Sequence, residues 1–82
     1  MTVQATEWLE LFAAKLGVAP PSPEQQDLLL ALAGVAAHAS ERAAAPISCW
    51  LAAQAGLPLA EVHGTAQRLA DDIAANRAGG PR

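Results

Sequence analysis

The chain has 82 residues, a formal net charge of -3 and a pI near 5.1, which is room for one domain and not two. Its five basic residues are dispersed, which argues against a nucleic-acid footprint and against a polybasic membrane anchor. Hydrophobic residues make up 52%, but 21 of them are alanines, so large apolar side chains are few, a monomer built from them is expected to be thinly packed, and self-association stays open as an alternative.

The start Met1-Thr2-Val3-Gln4 carries no basic region ahead of an apolar run, so no signal peptide is expected, and no later run approaches a membrane span. A first helix is expected over about residues 6–16, capped by Thr6 or Thr2, with Glu7 and Glu10 near its positive end. Leu9, Phe12 and Leu16 fall at i, i+3 and i+7, and Trp8 and Leu11 widen that apolar face. Gly17 stops the helix. Val18-Ala19-Pro20-Pro21 then reads as an extended connector, because each proline disfavours helix in the residue before it.

Ser22-Pro23-Glu24-Gln25 is the clearest local signal: Ser22 as N-cap, Pro23 as first helical residue, Gln25 as reciprocal partner of a capping box. The second helix is expected over 23–40. Leu28, Leu32 and Val35 make one stripe, and Leu29, Ala33 and Ala36 an adjacent one, a width that implies two neighbours. Gly34 is expected to mark a close helix crossing. The third helix, 46–55, runs from Pro46 to a stop at Gly56. Ile47, Trp50, Leu51 and small alanines make it apolar nearly all round, which predicts a central helix buried on several sides. The fourth, 58–76, begins at Pro58 and carries Leu59, Val62, Ala66, Leu69 and Ile73 in a heptad-like seam, with Arg68 and Asp72 as an i, i+4 pair. The expected fold is all-α, a compact four-helix bundle in one domain over 1–77, followed by a disordered tail, 78–82.

Few residues suggest chemistry. His38 and Arg42 share a face if the second helix continues, and with Ser48 and the amides opening the third helix they are candidates for an anion site. The favoured reading is that they are solvated helix-end residues. Cys49 beside His38 is a candidate nucleophile, but a lone cysteine on an apolar helix reads better as a small buried hydrophobe. One thiol forms no internal disulfide and no cysteine-based metal site, and fits a reducing cytoplasm. His38 and His63 lack metal-ligand spacing, and Asp71-Asp72 point to different faces. Trp8 and Trp50 are candidates for a partner anchor, with core packing favoured because so little else can fill an interior. No catalytic constellation, metal site or cofactor is expected.

Glu7-Trp8-Leu9, Lys15-Leu16-Gly17-Val18, Val35-Ala36-Ala37-His38, Ala44-Ala45-Pro46-Ile47-Ser48 and Leu51 through Gly56 stand in an order that resembles a small all-helical domain of unknown function from high-GC bacteria. That domain occurs alone and also fused behind the nucleotidyltransferase domain that attaches GMP to molybdopterin. The chain departs from the pattern at Cys49-Trp50, where a small residue and Phe are usual, and at Gln54, where Gly is usual. The resemblance carries over no catalytic residue. It implies a non-enzymatic accessory module of molybdenum-cofactor guanylylation with a protein partner, the guanylyltransferase. A small-anion or nucleotide-binding domain and a homodimeric module without ligand are the alternatives.

Overall fold

A computed structural model describes residues 3–78. They form four helices: α1 Ala5–Leu16, α2 Pro23–Ala39, α3 Ala44–Ala55 and α4 Leu59–Ala78. The chain is a small all-α domain, as expected from the spacing of its apolar residues. Of the expected tail, 78–82, only Ala78 lies within the described residues, where it ends α4.

The helix ends follow local chemistry. α1 closes in a Schellman motif: Gly17 is left-handed (φ 75°), its amide donates to the Ala14 carbonyl, and the Val18 amide donates to that of Ala13 (3.0 Å). Its start differs from expectation. Gln4 is the N-cap and offers no side-chain bond, Thr6 lies inside the helix, and Thr2 falls outside the described residues. α2 opens on the full capping box. The Gln25 amide donates to Ser22 Oγ (3.1 Å), and the Ser22 amide donates to Gln25 Oε1 (2.8 Å). α2 ends at Ala39, because Ser40 leaves helical geometry (φ -133°, ψ -105°).

α3 starts two residues before Pro46. The amides of Ala44 and Ala45 donate to the carbonyls of Glu41 and Arg42, which winds the chain into the helix ahead of the proline. Pro46 is still within the first turn, where a missing amide hydrogen breaks no bond. Gly56, left-handed at φ 68°, ends α3. The Pro58 carbonyl accepts from Glu61 and Val62 at the head of α4.

The central helix is α2, not α3. α2 packs against both α3 and α4, as its two adjacent stripes require. α3 buries Ala52 and leaves Ile47, Trp50 and Leu51 exposed, because no described element covers its outer side. Gly34 marks no close crossing either: no atom lies within 4 Å of where its Cβ would stand. The domain measures 50 × 31 × 18 Å, no more than two helices thick given a helix diameter of about 10 Å. In a layer that thin every helix keeps an outer face. The radius of gyration, 15.2 Å, exceeds the roughly 12 Å of a compact domain of this length. Among the described residues only Ala13, Leu32 and Ala52 are buried, and Leu32, 4% exposed, is the one large side chain of the three.

Candidate functional site

Of the residues singled out for anion binding, His38 lies on α2, Arg42 on the α2–α3 connection and Ser48 on α3, and His38 and Ser48 line two neighbouring grooves. His38 is exposed and lines a groove between α2 and α4 with Gly34, Gln67 and Ala70. Ser48 is half-buried and faces a second, apolar groove where α2, α3 and α4 meet. Arg42 lies beyond the end of α2, so the i, i+4 face that a continued helix gives His38 and Arg42 does not form. Arg68 likewise turns away from Asp72: its Nη2 donates to Thr65 Oγ1 (3.2 Å), while Gln67 Nε2 donates to Asp71 Oδ1 (3.1 Å). Exposed i, i+4 ion pairs are weak, so a threonine hydroxyl one turn back competes for the guanidinium.

Cys49 sits half-buried on the face of α3 that meets α2, and its thiol points at the Leu29 carbonyl with Sγ 3.9 Å away. His38 lies nine residues further along α2 than Leu29, roughly 13 Å by helical rise, so the thiol packs at a different level from the imidazole. His63 is half-buried on α4. Among the described residues no group of three His, Cys, Asp or Glu side chains could hold a metal ion. No described helix is long and apolar enough to cross a membrane.

The prominent chemical feature is apolar surface. Trp8 is 56% exposed and Trp50 62% exposed, so neither tryptophan fills the core that the sequence favours for them. Each belongs to a stripe with helical spacing. On α1, Trp8, Leu11, Phe12 and Leu16 are all exposed. Trp8 and Phe12 stack one turn apart, ring centroids 5.6 Å and planes 19° from parallel, making one flat aromatic slab. On α3, Ile47, Trp50 and Leu51 repeat the i, i+3, i+4 spacing and are likewise exposed. Leu9 and Ala13 occupy the other side of α1, half-buried and buried. The helix therefore has one covered apolar side and one open. α3 carries no charged residue at all, so its open face offers a partner only shape and hydrophobicity.

Isolated exposed leucines are ordinary on a protein surface, whereas aligned stripes with tryptophan at their centres are a feature of interaction sites. The sequence held the clue in its shortage of large apolar residues, which leaves the chain unable to cover the ones it has. Periodicity alone does not show which apolar face meets a neighbour.

No curated protein and no solved structure matches the chain. Residues 2–80 match the family described as a domain of unknown function, DUF6457, and with nearly its whole length matched the chain belongs to that family.

Proposed function

We propose that this protein is a non-enzymatic interaction module that acts in the cytoplasm by docking on other protein. The observation that carries the reading is the pair of open apolar stripes, Trp8-Leu11-Phe12-Leu16 on α1 and Ile47-Trp50-Leu51 on α3. Tryptophan on a rigid helix face supplies large contact area with little entropy to lose, and such residues dominate interface energetics. The partner is proposed from the resemblance of the motifs to the domain found behind molybdopterin guanylyltransferases. In that setting the module supports the transferase by docking on it or by holding two copies of it together.

The test is a titration of the full chain onto the purified molybdopterin guanylyltransferase of the same cell, read by calorimetry and by transferase turnover. Binding is expected, and Trp50→Ala, which removes an exposed side chain and leaves α2–α3 packing in place, is expected to weaken it roughly ten- to thirtyfold, the range of a buried aromatic anchor. Absence of binding together with unchanged turnover would overturn the proposed partner.

A further inference from the structure

The extent of the open faces bears on what covers them. The accessible surface is 6453 Å². A compact chain of 8.4 kDa exposes about 4,600 Å². The difference is about 1,850 Å², and with a generous allowance for the chain ends each chain carries an excess of roughly 1,000–1,800 Å² over that compact-domain value. Two chains covering each other's excess would bury roughly 2,000–3,600 Å² in total, the range of obligate homodimers, whose interfaces resemble a domain core cut in half.

The two stripes suit each other. α1 and α3 are each 12 residues long, about 18 Å at the helical rise. Both present apolar residues at i, i+3 and i+4 with a polar residue at i+7: Trp8, Leu11, Phe12 and Lys15 on one, Ile47, Trp50, Leu51 and Gln54 on the other. Glu10 lies off the α1 stripe and Glu7 at its edge by helical spacing; the one charge within it, Lys15 in the last turn of α1, has a long stem that can carry its ammonium to the rim, and α3 has no charge to leave unpaired. A core of two alanines and one leucine is a weak basis for a monomer of this size. A second copy is the one partner that is always present at equal concentration.

We infer that the chain is a two-fold homodimer in which the α1 stripe of one protomer covers the α3 stripe of the other, reciprocally. This rests on the interaction-module reading and names a second copy as the occupant of its surface, so a transferase that docks on the same stripes competes with the dimer for them. The contact is isologous and closes on itself, so it stops at two chains. Trp8 and Trp50 come to lie in the interface, where the first supplies the aromatic slab and the second the anchor.

Sedimentation equilibrium of the unmodified full chain, with acrylamide quenching of tryptophan fluorescence along the same dilution series, tests this. The expected mass is twice 8.4 kDa at micromolar concentration, with both tryptophans protected there and both quenched once dilution splits the dimer. Trp50→Glu and Leu11→Glu should each raise the dissociation constant at least a hundredfold, while Glu10→Gln leaves it unchanged. Since the quenching is read on the unmodified chain, a variant that fails to fold leaves the test intact. A dimer with both tryptophans freely quenched would place the contact on another face and overturn the inference. A monomer with both freely quenched would remove the second copy while leaving the interaction-module reading standing. A monomer with both protected would mean that the chain closes on itself, and would end both.

Discussion

Ser22 shows how far a single side chain can be followed. Its hydroxyl accepts from the Gln25 amide while Gln25 reaches back to the Ser22 amide, so Ser22→Ala leaves an end amide of α2 without its partner. The expected loss is about 1 kcal/mol, read as a lower denaturant midpoint at constant slope. Gly34 and Gly17 should respond to alanine with opposite signs. Gly34 is interior to α2 with open space where a Cβ would stand, so Gly34→Ala should stabilise by about 0.5–1 kcal/mol, through helix propensity and a less flexible unfolded chain. Gly17 is held at φ 75°, where an alanine Cβ is strained, so Gly17→Ala should destabilise by about 1 kcal/mol. Thermal melts of the two variants side by side check both signs. At Cys49 the thiol's one polar partner among the described residues is the Leu29 carbonyl, 3.9 Å away. A serine hydroxyl there is out of hydrogen-bond reach of that carbonyl but can turn to the carbonyl one turn back in α3, so Cys49→Ser should shift stability by less than about 1 kcal/mol.

At the scale of elements, α2 organises the domain. Both α3 and α4 pack on it, and Leu32 is the large side chain it buries. Leu32→Ala should cost about 2–5 kcal/mol, enough to abolish a cooperative melt in a domain with this little core, whereas Leu30→Ala, at a position 70% exposed, should be nearly neutral. The helices were legible in the sequence because their ends are set by near neighbours: Ser22-Pro23-Gln25 opens α2, and Gly17 and Gly56 end α1 and α3. α3 starts at Ala44 rather than Pro46 because its first bonds use the backbone carbonyls of Glu41 and Arg42, and carbonyls leave no mark in a sequence. Which helix is central was not legible. Ile47, Trp50 and Leu51 have the pattern of a buried helix whether or not anything covers them, and covering is a property of neighbours. The candidate anion residues show the same limit: their shared face needed α2 to run past Ala39, and Ser40 ends it.

The whole molecule is a two-layer slab, 18 Å through its thin axis, and its stability should depend on what lies against it. If folding is completed by a second chain, unfolding releases two molecules from one, and mass action raises the melting temperature with protein concentration. The size of the effect can be estimated. Two chains of 82 residues unfold together with an entropy of about 0.34 kcal/mol/K at the per-residue average. A hundredfold rise in concentration favours the associated state by about 2.7 kcal/mol. The quotient is a shift of about 8 °C. Calorimetric scans at about 5 and about 500 µM total chain, a hundredfold range, should therefore differ by that amount, with Trp50→Glu melting lower and losing the dependence. A monomeric domain melts at one temperature throughout, because neither side of its equilibrium carries a concentration. The same slope separates two origins of the exposed stripes. A partner absent from the purified protein would leave the melt independent of chain concentration and raise it only when that partner is added, whereas stripes that cover one another raise it with no other protein present.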